Sequence, residues 1–185
     1  TVEAACRCPL SARDDHARLS KALVLGPRRA FAARGRLAPS RIGEELSSLA
    51  DLDAWEDAAP KAPFVLKALF SASGRARRVV TPPLERADRR WAEGVLRGRG
   101  GLLAEPWLDR QADLSLAIAP TGGRPALLRL LTSARGGYLG HVLGPPLAGL
   151  PAEVAAAVGR FPGGVRGLVE AVDAEARAAV PDGPL

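Results

Sequence analysis

The run Phe64-Val65-Leu66-Lys67-Ala68-Leu69-Phe70-Ser71-Ala72-Ser73-Gly74-Arg75-Ala76-Arg77 decides how this chain is read. The apolar residues at 63–66, bounded by Pro63 on one side and small residues on the other, predict a buried strand that ends at Lys67. Ser71, Ala72, Ser73 and Gly74 then form a loop, and 78–80 return as the second strand of a hairpin. A Lys at the end of a buried strand has a rigid base and a short reach to whatever lies above the sheet. Small residues just after it let backbone N–H groups close around an anion. Ser71, Ser73 and Arg75 add donors suited to phosphate oxygens. Alone, this combination is common in proteins with no ligand at all.

Outward from that hairpin the pattern alternates helix and strand. Leu49, Leu52, Trp55 and Ala58 recur at helical spacing after Ser48, a capping residue, and Pro60 stops the run. A shorter helix is expected over 28–34, closed by Gly35. Thr81 ahead of Pro82 and Pro83 is a helix-start signal, and Leu84, Ala87, Trp91 and Val95 follow along one face until 97–101 turn through glycine. Trp55 and Trp91 belong to apolar faces and are expected in the core. Strands are expected at 102–107, 114–119 and 126–132, the last two antiparallel across Thr121-Gly122-Gly123. Two helices, at Val154 to Phe161 and at Val165 to Ala176, flank the break Pro162-Gly163-Gly164. These elements make an α+β protein with a largely antiparallel sheet and helices on one side.

A second acidic and aromatic segment raises the value of the first. Leu102-Leu103-Ala104-Glu105-Pro106-Trp107-Leu108 is followed by Asp113-Leu114-Ser115. Strand, acid, short turn, acid and strand can receive a nucleoside, because a strand edge offers backbone groups to a base while a carboxylate accepts from ribose hydroxyls. Together with the Lys loop it makes a second wall.

At this point the sequence resembles the ATP-grasp superfamily, in particular its bacterial members of uncertain substrate. The resemblance is best over 62–115 and extends more weakly to about 22 and 140. It implies that Lys67 contacts the α- and β-phosphates of ATP, with Ser71, Ser73 and Gly74 in the phosphate loop and Arg75 beside them. It places Glu105 at the adenine end, Trp107 and Leu108 in the hinge strand, and Asp113 near the ribose. The domain division that follows is a mixed N-terminal segment (1–61), an ATP-grasp-like core (62–143) and a Gly/Pro/Ala-rich helical tail (144–185). The implied activity is that of an ATP-dependent carboxylate–amine or carboxylate–thiol ligase, whose partners are ATP and a carboxylate substrate that the sequence does not name.

The same resemblance implies Mg2+, held by a strand carboxylate and a Glu-x-Asn on the next strand. This chain has no Asn anywhere, and its later acids are Glu153, Glu170, Asp173, Glu175 and Asp182. Glu170 and Asp173 share a helical face and read as solvated charges, so no metal ligand is assigned. The chain is therefore expected to be a fragment that stops before the metal site, or a degenerate relative that binds nucleotide without turning it over.

Composition narrows the alternatives. The 185 residues carry 26 basic and 20 acidic side chains, for a net charge of +6. A basic RNA-binding protein is the third reading. Against it, the bases are spread from Arg7 to Arg177 without a run, and aromatics amount to only 4%. Only three of the bases are lysines: Lys21, Lys61 and Lys67. Cys6 and Cys8 lack the further ligands of a zinc site, with His16 the one nearby candidate, and read as reduced thiols. No apolar stretch spans a bilayer and no secretory signal opens the chain, so the expected location is cytoplasmic. Thr1 and the absence of Met fit a fragment or processed product. His141 lacks an acidic or thiol partner at a recognisable spacing, and either Arg129 or Arg135 could meet a phosphate.

Overall fold

The computed structural model describes residues 20–58, 61–71, 76–117, 125–133 and 137–179. A 3-10 turn at Lys21–Val24 runs into helix α1 (Leu25–Ala33). Strand β1 (Glu44–Leu46) and helix α2 (Leu49–Ala58) follow, then the hairpin of β2 (Phe64–Ala68) and β3 (Arg77–Val80). Helix α3 (Arg86–Arg99) leads to β4 (Leu102–Pro106), β5 (Asp113–Ala117), β6 (Ala126–Thr132) and β7 (Tyr138–Val142). Helices α4 (Ala152–Gly159) and α5 (Gly164–Ala179) end the described chain. The class is α+β with antiparallel sheets, as the pattern of elements predicts. The seven strands of the described residues form two sheets rather than one: a four-stranded sheet in the order β1-β4-β2-β3, and a three-stranded one in the order β5-β6-β7.

The four-stranded sheet holds the core, and strand parity explains how. Phe64, Leu66, Ala68, Leu102, Ala104, Leu46 and Val80 point to one face, where Leu52 of α2 and Ala92 and Val95 of α3 meet them. Trp55 and Trp91 pack against this cluster, as expected for apolar helix faces. The opposite face is covered too, because Leu103 and Leu69 are buried against Leu25 of α1. This corrects the expectation of helices on one side only. Both β2 and β4 are central strands, and buried on two faces they read as continuous apolar runs rather than alternating ones. In the three-stranded sheet, by contrast, no described residue is fully buried.

Local signals explain most element ends. Gly35 (φ +68°) and Gly100 (φ +74°) adopt the left-handed conformation just past α1 and α3, which residues with a Cβ rarely adopt. At α2 the Ser48 hydroxyl accepts from the Asp51 N–H at 3.0 Å, and the Asp51 carboxylate accepts from the N–H groups of Ser47 and Ser48. This reciprocal cap satisfies donors that the first turn leaves open. Ser48→Ala is expected to cost about 1 kcal/mol in chemical denaturation. An unchanged midpoint would show that the cap contributes nothing.

Two details differ from expectation. Helix α3 begins at Arg86 rather than after Thr81, because the Leu84 N–H donates to the Glu56 carboxylate and so is committed outside the helix. Strand β7 pairs with β6 but carries Gly140 and alternates weakly, so its sequence has no clear strand period. The C-terminal helices are tied back to the start of the described chain. Glu175 of α5 is buried and ion-paired with Arg34, just past α1, while the Arg36 guanidinium lies 5.1 Å from the centre of the Phe161 ring.

Candidate functional site

Lys67 and Glu105 are diagonal neighbours on adjacent strands, since Lys67 stands opposite Leu103 and Val65 opposite Glu105. Both therefore emerge on the face that α1 covers. Glu105 is only 4% exposed, and its two carboxylate oxygens are taken separately, one by Lys67 Nζ and the other by Arg28 of α1. Helical spacing puts Arg28 one turn beyond Leu25, the residue that seats α1 on the sheet. Burial on its own would raise the Glu105 pKa, but the hydrogen bond and charge of Lys67, then those of Arg28, outweigh it and hold the carboxyl below its ordinary value.

That direction gives a pH prediction. With a folded pKa below the ordinary value of 4.5, the folded state binds fewer protons than the unfolded one in the interval between them. The stabilisation is complete above the ordinary value and is lost as pH falls through the folded one. Glu105→Gln should accordingly flatten the acid limb of a stability–pH curve below about pH 4.5. If the limb keeps its slope, Glu105 is not the group responsible.

Beside this triad lies a cavity of about 290 Å³ that spans the two sheets. Lys67, Arg77 and Ser71 line it from the first sheet, Asp113, Thr132 and Tyr138 from the second, and Lys21 and Arg110 complete it. Four basic side chains against one carboxylate make the space strongly attractive to an anion. Lys21 holds the entry to the loop that follows β2: its ammonium donates to Ala68 O at 3.0 Å, to Ser71 O at 2.6 Å and to the Ser71 hydroxyl. Two of the three lysines in the chain thus converge on one cavity.

A second cavity, of about 520 Å³, adjoins it and shares Arg110, Asp113, Leu130 and Thr132. Its wall includes Trp107 and Leu108, which are 38% and 44% exposed. The linker leaves β4 with the Trp107 N–H donating to Pro63 O at 2.9 Å, which extends the β2–β4 pairing by one residue. Arg110 lies 5.6 Å from the centre of the Trp107 ring and bonds Asp113 at 3.1 Å. Asp113 also accepts from the Thr132 hydroxyl at 3.0 Å. An aromatic surface thus stands next to a cationic one, which suits a planar group joined to an anionic one.

The residues singled out in the sequence are therefore distributed as follows. Lys67, Ser71 and Asp113 come together around the smaller cavity, and Trp107, Leu108 and Asp113 around the larger. Glu105 lines neither and sits behind Lys67 in the ion-pair triad. Ser73, Gly74 and Arg75 lie outside the described residues, as do Arg135, Cys6, Cys8 and His16. Arg129 lines the larger cavity but already donates to Ala148 O and Gly149 O, at 3.1 and 2.6 Å. His141 accepts or donates through Nδ1 to the Tyr138 hydroxyl at 3.0 Å.

No protein-family model matches the chain, and no match is found among the curated proteins. The site must then be read from its own chemistry.

Sequence reasoning missed Lys21, Arg28, Arg77 and Arg110. Only Lys21 carried a signal, its rarity in an Arg-rich chain; the others look like any surface arginine until the fold gathers them. Among the described residues no three His, Cys, Asp or Glu side chains converge. Glu170 is paired with Arg166 and well exposed, Asp173 is paired with Arg177 and mostly covered, and Glu175 is buried with Arg34. The described residues do not fit the two-magnesium arrangement that the ATP-grasp resemblance implies. No helix among the described residues is long and apolar enough to cross a membrane.

Proposed function

We propose that this chain is a nucleotide-binding region of the ATP-grasp type, taking the triphosphate in the cleft between its two antiparallel sheets. The observation that carries the reading is the meeting of Lys67 and Ser71 from one sheet with Asp113 from the other around a single cationic cavity. In this reading Lys67, Lys21 and Ser71 face the phosphates, and Ser73, Gly74 and Arg75, next along the chain, add further donors. Trp107 and Leu108 meet the base and Asp113 the ribose. Lys67 is the mobile member: it leaves Glu105 for the incoming phosphate, while Arg28 stays to balance the buried carboxylate.

The larger activity is that of a carboxylate–amine or carboxylate–thiol ligase. Transfer of the γ-phosphoryl group to a carboxylate oxygen releases ADP and leaves an acyl phosphate. An amine or thiol then attacks the acyl carbon and expels phosphate. A non-catalytic nucleotide-binding module is the second reading, favoured by the lack of Asn and of converging acids among the described residues. Thermal denaturation with ATP tests the binding. At about 100 times Kd, ATP should stabilise the chain by about 2.7 kcal/mol, or roughly 5–10 °C in Tm. No shift at millimolar ATP, with and without magnesium, removes the proposal. ADP release with pooled carboxylate and amine substrates separates the two readings, since turnover eliminates the non-catalytic one.

A further inference from the structure

Strand β7 does not alternate regularly against β6. Tyr138 stands opposite Thr132 and Gly140 opposite Leu131, so Leu139 is an extra residue in β7, and His141 falls opposite Leu130. Residues directly opposite one another share a face of the sheet, as do residues two apart along a strand. Strict alternation would send Tyr138 and His141 to opposite faces. The bulge at Leu139 instead puts both on the face of Leu130 and Thr132, and leaves Leu139 67% exposed. The Tyr138 hydroxyl lies 3.0 Å from His141 Nδ1, and the two rings meet edge to face with centroids 5.4 Å apart.

That face is a wall of the smaller, cationic cavity. Leu130, Thr132 and Tyr138 line it together with Lys21, Lys67, Arg77 and Arg110. Asp113, the one carboxylate among the described residues on this cavity, is engaged by Arg110 and by the Thr132 hydroxyl. Tyr138 thus brings a hydroxyl, itself in contact with a histidine, to a space that attracts anions. Ionised phosphate oxygens only accept hydrogen bonds, so a hydroxyl that meets one must donate. Its single hydrogen is then committed to the anion, and its other polar neighbour must donate to it. His141 does so only with hydrogen on Nδ1.

We propose that Tyr138 is a phosphate-contacting residue of this cavity and that His141 is its positioning residue, turning the hydroxyl toward the anion by donating to it from Nδ1. The inference rests on the cleft being a polyphosphate site and adds an uncharged donor from the second sheet to the cations already there. The probe is tripolyphosphate, titrated by calorimetry into the full chain, with Lys67→Ala as the control that binding reports this cavity. Tyr138→Phe removes the hydroxyl alone and should weaken binding about tenfold, the loss of one hydrogen bond to a charged acceptor. His141→Ala should weaken it by a similar factor. His141→Asn, whose side-chain amide can stand where Nδ1 stood, should restore most of the affinity. Both positions are exposed, so the fold tolerates these changes. In the wild-type chain, a two-bond 1H–15N spectrum should show hydrogen on His141 Nδ1 once tripolyphosphate is bound, a readout that needs no variant. Binding that is weakened in Lys67→Ala but unchanged in Tyr138→Phe overturns this inference and leaves the cleft as the phosphate site. A bare Nδ1 in the bound state does the same. Melting temperatures lowered in Tyr138→Phe and His141→Ala with affinity unchanged would make the pair a packing contact and likewise overturn it. No binding to the wild-type chain, or binding indifferent to Lys67→Ala, overturns the reading of the cleft and this inference with it.

Discussion

Lys67→Ala is expected to remove most of the rise in Tm that ATP gives the wild-type chain. Lys67 is the one cation of the cleft whose backbone is set in a central strand, between β3 and β4, so its ammonium has only the short move from Glu105 to a phosphate to make. A charge-assisted hydrogen bond to a phosphate oxygen contributes about 1.5–3 kcal/mol, so its loss weakens binding about 10- to 100-fold. The readout must be the ligand-dependent shift rather than Tm itself, because the substitution also leaves Glu105 with Arg28 alone. Glu105→Gln supplies the control. It frees Lys67 from its carboxylate and keeps the shape of the site, so the ATP shift should persist or grow. A full ATP shift in Lys67→Ala would take the phosphates away from this cavity. A shift lost equally in both variants would mean that the triad matters for packing and not for the anion.

Gly43→Ala should be among the most damaging single-methyl changes in the molecule. Gly43 is buried just before β1, and a Cβ there would stand 2.6 Å from Glu105 Cγ and closer still to the Ala104 carbonyl oxygen. The carbonyl is a backbone atom in a central strand and cannot swing aside. Either β1 is pushed off β4 or Glu105 is driven toward its two cations, and overpacking of this kind costs about 1–3 kcal/mol. Denaturant midpoints measure the loss. Because the methyl bears directly on Glu105, the acid limb of the stability curve should move as well. An unchanged midpoint and acid limb would show that β1 moves freely, and with it that Glu105 is not held from this side.

How much of this was legible beforehand depended on whether a signal was local. The hairpin around Lys67 is written in consecutive residues: an apolar run, a Lys, a small-residue loop and a β-branched return. Helix α2 is written in its cap and its period, and α5 in its period alone. Strand β1 is three residues long with two exposed acids, too short to show any period. It is a strand because β4 offers it a partner. The apparent helix start at Thr81 was a good local signal that lost to a longer-range hydrogen bond from Leu84 to Glu56.

The candidate site divides in the same way. Lys67, Ser71, Trp107, Leu108 and Asp113 could be picked out because each belongs to a segment whose residue types suit one task. Their assembly around shared cavities could not, since the two sheets come together only when the chain turns at Trp107. Glu105 shows the limit most clearly. As a residue it looked like a nucleoside contact at a strand end, whereas the fold buries it between Lys67 and Arg28. A carboxylate that deep must be paired with charge, and its partners lie 38 and 77 residues away in the chain. The sequence by itself determined the α+β class, the hairpin with its terminal Lys and the main helices, because those rest on periodicity, capping and turn chemistry within a few residues. Only the tertiary structure decided that there are two sheets, that α1 closes the second face of the first, and that the lysines and arginines of distant segments share one cavity. Those outcomes rest on burial and charge pairing between parts of the chain that no local pattern connects.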